Sequence, residues 1–501
     1  SSRCGPCCLF LAPDGMGATC TGRGVAWLAV CCSLLPGSSA EADKETMGKH
    51  RGLVIDAGST GSRIHVFSWD PVPCEPGQPP PFVVPQRVAS RAVRPGIGQL
   101  ALQDLEESLL PLRSFAEEAL ADRPEDWSRF PLHLFATAGL RRQRPEDRDR
   151  VLAALRQLLS GWPFLFKGEN VRILSGEEEG AYGWLSLNAE LGALGPSNDD
   201  SFGVLDLGGA SFQITFVPQA GNSLLMHLYP LLMRGQQLPL YSVSYLQFGV
   251  REAHRLLQRK IIARTLLAEK ASELEHPCFV RGQSFTEDLI SSGGVEAGPG
   301  DVPLRAVWRG RGDYEECKRQ ISELFDKTAA CYVPPCTFAG MYQPRLGTRR
   351  FVAFSTFSWV IEALALPYNG TVLEDIEHAA RYVCKMAWST LRERWRDLEE
   401  DSARTLCFSA TYVVVLLHSG LGFDMQSNQL QFWESGGNQS ADISWAHGAI
   451  MWAVNHWFSY EQPLCVASDA GSCPAPARRT AAAGKSGSAA AAGAPAALGG
   501  G

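Results

Sequence analysis

Two stretches of the chain share one pattern of apolar and polar positions. From Gly203 to Phe216, an apolar run ends in an aspartate, a Gly-Gly pair follows, and apolar residues then alternate with polar ones. The stretch from Gly52 to Phe67 repeats this order, with Asp56 in the place of Asp206. An apolar run, a glycine turn and a period of two predict a strand, a tight turn and a second strand. The sequence therefore predicts two β-hairpins of the same design.

The turns of these hairpins are suited to phosphate. Glycines let backbone N–H groups approach an anion closely, and an aspartate at the end of the first strand can hold a hydrated cation beside it. One strand that ends in Asp-x-Gly is most often an ordinary β-turn. Two such hairpins in register indicate a duplicated domain that presents both turns to one cleft.

The remaining pattern predicts further helices and strands. Helical apolar spacing runs from Leu100 to Ala121, and Pro111 within it predicts two helical pieces. Strands are predicted from Pro131 to Thr137 and from Asn170 to Leu174. The other predicted helices cover residues 145–161, 175–184, 246–270, 316–328, 372–400 and 405–418. The Pro-rich segment 71–81 predicts a surface loop, and the Ala/Gly-rich residues 474–501 predict a disordered tail.

A run of three glutamates begins one predicted helix. Ser175-Gly-Glu-Glu178 is a capping-box sequence. Acidic residues at a helix start normally complement the helix dipole, which accounts for Glu177 and Glu178. Glu179 lies about 100° round the helix from Glu178 and therefore faces another direction. Thr137, also before a predicted helix, is either a turn or cap residue or a hydroxyl donor to a phosphoryl oxygen.

Length, composition and charge limit the classes of protein to which the chain can belong. At 501 residues, with 45% hydrophobic and 20% charged residues, the chain predicts two packed globular domains. A net charge of −7 without a basic block argues against a nucleic-acid surface. Arg23, the apolar segment 24–35 and the small residues 37–40 are typical of a secretory signal. An uncleaved amino-terminal anchor is the alternative, although the apolar segment is shorter than the ~20 residues that span a bilayer.

Cysteine usage is consistent with an oxidising compartment. Six of the fifteen cysteines lie in the leader, and nine follow it. Cys331 and Cys336 are close enough to clip a short loop, and Cys384 and Cys407 can join two elements. The spacings lack paired Cys-x-x-Cys units with nearby histidines, so disulfides are expected rather than zinc. The isolated His65, His133 and His447 are predicted to be packing or surface residues, and Asn369 and Asn438 begin glycosylation sequons.

In combination these segments resemble the apyrase family, the nucleoside triphosphate diphosphohydrolases. The resemblance covers residues 50–460 and rests on five motifs in the family's order. The motifs are Asp56-Ala-Gly-Ser-Thr-Gly-Ser-Arg63, Ala136-Thr-Ala-Gly-Leu-Arg141, Ser175-Gly-Glu-Glu-Glu-Gly-Ala-Tyr-Gly-Trp184, Leu205-Asp-Leu-Gly-Gly-Ala-Ser-Phe-Gln213 and a degenerate Ser444-Trp-Ala-His-Gly448. Phe212, Val243 and His447-Gly448 depart from the common family pattern.

This resemblance implies an α/β fold of two ribonuclease-H-like domains of the actin and hexokinase superfamily, flanking a nucleotide cleft. It implies a leader at residues 1–49, a first domain at 50–170 completed by 442–470, a second domain at 171–441 and the tail at 474–501. The enzyme is then expected in the secretory pathway, on a membrane only if the leader is retained. Family-like spacing adds Cys278–Cys317 to the expected disulfides and leaves the pairing of Cys74, Cys465 and Cys473 open.

The resemblance also implies an activity and its residues. Terminal phosphates of nucleoside tri- and diphosphates would be hydrolysed with Ca²⁺ or Mg²⁺. Glu179 matches the family's general base, Ser211 and Gln213 would hold the attacking water, and Asp56 and Asp206 would bind the cation through its water shell. The expected phosphate-binding residues are Ser59, Thr60, Gly61, Ser62, Arg63, Thr137, Gly208, Gly209 and Ala210.

Base recognition is expected from aromatic residues. Trp359 and Trp445 are the expected stacking residues, whereas core packing is the alternative for Phe354 and Phe357.

Two other functions stay open. An exopolyphosphatase-like enzyme shares the duplicated hairpins and a Ser-Gly-Glu-Glu-Glu run. A non-catalytic nucleotide-binding module of the same superfamily fits less well, because Glu179 and Gln213 are both present.

Overall fold

The computed structural model describes nine segments of the chain. They are residues 49–74, 81–195, 200–219, 224–233, 236–267, 273–288, 305–434, 443–456 and 465–467. The expected leader, the expected tail and the Asn438 sequon lie outside these residues.

The first sheet is built around the first predicted hairpin. Strands β1 (His50–Ala57) and β2 (Ser62–Trp69) are antiparallel, and β4 (Gln86–Val93) pairs with β2 in the same sense. On the other side, β5 (Leu132–Ala136) runs parallel to β1, and β6 (Val171–Ile173) runs parallel to β5. The resulting order is β4-β2-β1-β5-β6.

The second sheet repeats this arrangement around the second hairpin. Strands β7 (Gly203–Leu207) and β8 (Ser211–Phe216) are antiparallel, and β10 (Gln236–Leu246) pairs antiparallel with β8. Strand β14 (Phe351–Ser355) runs parallel to β7, and β15 (Leu430–Phe432) runs parallel to β14. With β9 (Leu228–Met233) at one edge, the order is β15-β14-β7-β8-β10-β9. The same succession of antiparallel and parallel neighbours in both sheets is what a duplication produces.

Smaller strands and the helices complete the described chain. Strands β11 (Glu273–His276), β12 (Ser284–Asp288) and β13 (Arg305–Gly310) form a third sheet, and β3 (Val72–Cys74) pairs with β16 (Cys465–Ala467). The α-helices are α1 (Leu105–Ala119), α2 (Ala138–Arg141), α3 (Pro145–Ser160), α4 (Gly176–Glu190), α5 (Val250–Leu267), α6 (Tyr314–Ser322), α7 (Thr356–Ala363), α8 (Leu373–Lys385), α9 (Trp388–Arg394), α10 (Glu400–Val414) and α11 (Trp445–His456). A π-helical turn, Val415–Gly420, follows α10.

Helices α4 and α11 pack together beside the first sheet. Tyr182 of α4 and Ile450 of α11 lie in one buried cluster with Val54 and Phe67 of the first sheet. Gly448 makes the contact between the helices close, because a Cβ at this position would overlap the carbonyl oxygen of Tyr182. The glycine of the degenerate last motif therefore has a packing role.

Several predicted helix boundaries were wrong. Helix α1 is one helix and continues through Pro111. The proline lies on the exposed face, where the carbonyl left without a partner meets water, while Leu105, Leu109, Leu112 and Ala116 are buried on the other face. Residue 246 ends a strand, the helix predicted over 316–328 ends at Ser322, and the one over 372–400 is interrupted at Met386.

Within the described residues, three disulfide bonds have the pairing that the sequence predicted. Cys278 pairs with Cys317, Cys331 with Cys336 and Cys384 with Cys407. Asn369 is exposed at the end of the α7–α8 connection. No helix in the described segments combines the length and the apolar character needed to cross a bilayer.

Candidate active site

The two hairpin turns have the same internal hydrogen bond. The amide of Gly58 donates to the carbonyl of Gly61 at 3.0 Å, and the amide of Gly208 donates to the carbonyl of Ser211 at 3.0 Å. The turns also meet each other, since a Cβ on Gly209 would lie 3.0 Å from Ser59 Oγ and 3.0 Å from Thr60 Cγ2. Two glycine turns thus face one another, and turns of this kind can present backbone donors to a phosphate chain.

The other predicted phosphate-binding residues lie in or beside these turns. Thr137 is buried, its amide donates to the carbonyl of Ala57 at 3.2 Å, and it precedes α2. A Cβ on the neighbouring Gly139 would lie 3.0 Å from Ser59 Cα, so this third loop touches the first turn. Residues Thr60, Gly61, Gly208 and Gly209 are half-buried, Ser62 and Ala210 are buried, and Arg63 is exposed.

Asp56 and Asp206 lie at equivalent places in the two sheets. Each is the second-last residue of the first strand of its hairpin: Asp56 lies opposite Arg63 and Asp206 opposite Gln213. Burial raises the pKa of Asp56 to about 8, with a further contribution from the charge of Glu179. Burial likewise raises the pKa of Asp206 to about 7, against a hydrogen bond from Ser355 that lowers it. Within the described chain, Asp56 Oδ1 is buried without a hydrogen-bond partner.

These features fit a divalent cation that keeps most of its waters. At the half-buried Asp56 and the buried Asp206, burial outweighs the groups that favour the ionised carboxylate, which are Arg63 and Ser355 respectively, and a bound cation would add to them. Hard oxygen ligands suit Ca²⁺ and Mg²⁺. In the described residues, no group of three or more His, Cys, Asp or Glu side chains is arranged to hold a metal directly.

Glu179 is separated from its two neighbours by the helix geometry. Ser175 and Glu178 form the capping box: the amide of Glu178 donates to Ser175 Oγ at 3.1 Å, and the amide of Ser175 donates to Glu178 Oε2 at 3.2 Å. Glu178 also accepts a hydrogen bond from Arg172 at 2.9 Å. Glu179 instead is 7% exposed and lies against the second hairpin.

A hydrogen-bonded group surrounds the Glu179 carboxylate. Arg141 Nη2 donates to Glu179 Oε2 at 2.5 Å and to Ser211 Oγ at 3.3 Å. Gln213 Nε2 lies 3.3 Å from Glu179 Oε2, 2.8 Å from Ser211 Oγ and 3.0 Å from Ser244 Oγ. Burial raises the pKa of Glu179, and Arg141 opposes this rise. The structure thus brings together the three residues predicted to activate water.

The two predicted base-stacking residues have different surroundings. Trp359 is half-buried on α7 and contacts the core of the second sheet. Trp445 is 5% exposed, and its ring lies 6.4 Å from that of Phe135 in the α4–α11 cluster. This burial does not favour stacking on a base, and the role of Trp445 stays a prediction. Phe354 and Phe357 are buried in cores.

Three residues of the site were not among the predicted ones. Arg141 was quoted only as part of a motif, although the basic residue after a phosphate loop was an available signal. Ser244 and Ser355 contact Gln213 and Asp206 from β10 and β14. Nothing local in the sequence marks them, because both contacts depend on the strand order of the second sheet.

Comparison with known proteins identifies the family. The profile of the GDA1/CD39 (nucleoside phosphatase) family matches residues 43–467. The chain is 32% identical over 444 residues to ectonucleoside triphosphate diphosphohydrolase 1 of Bos taurus, covering 82% of each chain. It is 30% identical over 411 residues to probable apyrase 6 of Arabidopsis thaliana, covering 80% of this chain and 71% of that one. It is 29% identical over 427 residues to a guanosine-diphosphatase of Schizosaccharomyces pombe, covering 80% of this chain and 72% of that one.

A solved structure supports the fold. Nucleoside triphosphate hydrolase from Neospora caninum superposes with a TM-score of 0.62 at 19% identity, covering 83% of this chain and 95% of that one. The predicted α/β fold class with two domains is confirmed. The chain belongs to the GDA1/CD39 (nucleoside phosphatase) family and is a nucleoside phosphohydrolase.

Proposed function

We propose that this enzyme hydrolyses the terminal phosphates of nucleoside triphosphates, nucleoside diphosphates or both, and yields the monophosphate and inorganic phosphate. Relatives named as a triphosphate diphosphohydrolase, an apyrase and a guanosine-diphosphatase support this substrate class. The observation that carries the proposal is the buried Glu179 carboxylate, which shares Gln213 with Ser211 beside the second glycine turn.

The two turns bind and orient the phosphates. The Gly58 and Gly208 amides already donate within their turns, so we expect the N–H groups of residues 59–61 and 209–210 and the hydroxyls of Ser59, Thr60 and Thr137 to donate to the phosphates. Phosphoryl transfer gives a protein little covalent work, so its contribution is positioning and neutralisation of charge on the equatorial oxygens. Asp56 and Asp206 would hold a Ca²⁺ or Mg²⁺ ion through its waters. The bound ion would supply positive charge to the phosphate chain.

Glu179 takes the proton of the attacking water. Ser211 and Gln213 hold this water in line with the terminal phosphorus, and its proton passes to the carboxylate as the new P–O bond forms. Burial makes Glu179 a stronger base than an exposed carboxylate, while Arg141 keeps it ionised before attack. No cysteine or histidine contacts this group within the described chain, so direct attack by water is simpler than a covalent phosphoenzyme.

We also infer a location in the secretory pathway. The three disulfide bonds of the described residues support an oxidising compartment, because disulfides are rare in the reducing cytosol of most organisms. An exposed Asn369 sequon is accessible to glycosylation there. Trp359 remains the proposed base-stacking residue.

Phosphate release tests the activity directly. ATP, ADP, GDP, UDP and polyphosphate are each incubated with Ca²⁺, with Mg²⁺ and with EDTA. Hydrolysis of nucleotides that stops in EDTA is the expected result. Hydrolysis of polyphosphate alone would replace the proposal with an exopolyphosphatase, and nucleotide binding without phosphate release would replace it with a binding module.

A further inference from the structure

Ser355 has an uncommon backbone conformation at the junction of β14 and α7. It is the last residue of the strand and the residue before the helix, with φ 59° and ψ −122°. A side chain with a Cβ rarely adopts a positive φ, and such residues cost stability unless the surrounding structure holds them. Strain of this kind concentrates at functional sites, so its cause at Ser355 is informative.

Ser355 does not perform the usual task of a serine at a helix start. A serine in this position normally has an extended backbone and accepts a hydrogen bond from an amide of the first turn. Ser355 makes no such bond to α7. The helix therefore gains no side-chain cap from the residue whose type is suited to capping it.

The hydroxyl of Ser355 is directed to Asp206 instead. Ser355 Oγ donates to Asp206 Oδ1 at 2.6 Å. The contact follows from strand order, because β14 runs parallel to β7 and places Phe354 opposite Asp206 and Ser355 opposite Leu207. The side chain is exposed, as a group at the cleft edge would be. The positive φ of Ser355 and the absence of a side-chain cap on α7 thus occur together with the hydrogen bond from Ser355 to Asp206.

We propose that Ser355 is a positioning residue that fixes the Asp206 carboxylate for cation binding. The proposal rests on the proposed function, in which Asp206 binds the cation through water. Ser355 occupies one oxygen of Asp206 and leaves the other for the water shell. The strained backbone is retained because relaxing it would rotate the hydroxyl away from the carboxylate.

Two substitutions distinguish the effect of the Ser355 hydroxyl from the effect of the strained backbone. Ser355→Ala removes the hydroxyl and keeps the Cβ, whereas Ser355→Gly removes both. The matched control is Ala365→Gly, at a residue with φ 54° just after the same helix and outside the site. Binding of Ca²⁺ alone is measured by titration calorimetry, and the melting temperature and the Ca²⁺ concentration for half-maximal nucleotide hydrolysis are measured in parallel.

Both Ser355 variants are expected to bind Ca²⁺ about tenfold more weakly, the effect of losing one hydrogen bond to a charged group. Ser355→Gly should melt about 1 °C above Ser355→Ala, because glycine accepts the positive φ. Ala365→Gly should raise the melting temperature and leave Ca²⁺ binding unchanged.

Asp206→Asn separates the cation-binding role of Asp206 from the positioning role of Ser355. If it leaves Ca²⁺ binding intact, the cation role of Asp206 in the proposed function is wrong. If Asp206→Asn abolishes binding while Ser355→Ala binds Ca²⁺ like the parent, the positioning role of Ser355 is overturned and the proposed function stands.

Discussion

At the scale of single residues, the neighbouring Glu178 and Glu179 differ in the residues that they contact. Glu178 completes the capping box and pairs with Arg172, whereas Glu179 is buried against Arg141 and Gln213. Glu179→Gln keeps the shape and cannot readily accept a proton, so we expect the turnover number to fall by about 10²–10⁴ with near-normal nucleotide binding. Steady-state kinetics and nucleotide titration of the purified variant check this.

Glu178→Gln is the matched control for this prediction. It weakens a cap and an ion pair, so it should lower stability by about 1 kcal/mol with turnover close to that of the parent. Were Glu179→Gln to hydrolyse ATP within a few-fold of the parent across neutral pH, the water-activation mechanism would be wrong.

At this scale, the sequence predicts the placement of a residue where that placement depends on local order. Helix geometry separates Glu179 from Glu178, and the resemblance selects between them. Trp445 and Ser355 show the limit: the first is enclosed against Phe135, and the second reaches Asp206 through strand pairing. Both facts require knowing which elements are neighbours in space.

At the scale of elements, the paired hairpins were predictable and several helix boundaries were not. A period of two with a glycine turn leaves one register for β1–β2 and β7–β8, since a shift by one residue would turn every side chain to the other face. Pro111 predicts a break in the helix, because the cost of a proline inside a helix can be inferred from the sequence alone. The buried face of α1, which offsets that cost, becomes visible only with the sheet in place.

Gly448 gives a testable case of packing between elements. An alanine Cβ would overlap the Tyr182 carbonyl and force α11 away from α4, so Gly448→Ala should destabilise the protein by about 1–3 kcal/mol. Because Tyr182 lies one turn from Glu179, activity should fall as well. Gly183→Ala in α4 is the control, since its Cβ would lie 3.4 Å from Phe354 Cζ, and unfolding by urea should show no loss of stability. Equal stability of both variants would refute the close-packing argument.

At the scale of the whole molecule, buried histidines link stability to pH. His65, His133, His276 and His447 are buried, and so is the ring Nε2 of His254. Burial lowers the pKa of all five, to about 3 for His133, to about 4 for His254 and His447, and well below the usual value for His65 and His276.

The lowered histidine pKa values determine whether stability rises or falls with pH. Below the ordinary histidine pKa of about 6.5 the unfolded chain gains protons that the folded chain does not, so stability falls as pH falls toward 4. Each histidine contributes up to about 1.4 kcal/mol per pH unit. The raised pKa values of Asp56, Asp206 and Glu179 act oppositely, but the five histidines outnumber them.

We therefore expect the free energy of unfolding, measured with urea in EDTA, to be lower at pH 5 than at pH 7. His65→Phe should flatten this dependence by close to one proton, whereas the exposed His378→Phe should leave it unchanged. A dependence that is equally steep in the parent and in His65→Phe would contradict the assignment.

The ion pair of Arg142 and Glu252 joins the parts of the molecule built on the two sheets. Arg142, next to the Thr137 loop, pairs with Glu252 of α5, and Arg255 pairs with the same carboxylate at 2.8 Å. The Glu252 side chain is 7% exposed, and its amide donates to the carbonyl of Gly209 in the second turn. This pair thus fixes the Thr137 loop relative to the second phosphate turn.

If the pair sets the distance between the turns, its loss should weaken substrate binding more than chemistry. We expect Arg142→Leu and Glu252→Gln each to raise KM while kcat at saturation changes little, with a coupling of roughly 0.5–3 kcal/mol in a double-mutant cycle on kcat/KM. Lys318–Glu377 is the matched control, because it is similarly buried and both of its residues lie on helices beside the second sheet. Its cycle should show coupling in the free energy of unfolding and none in kcat/KM. Coupling for Arg142 and Glu252 that appears only in stability would mean that the pair holds the fold together without setting the geometry of the phosphate site.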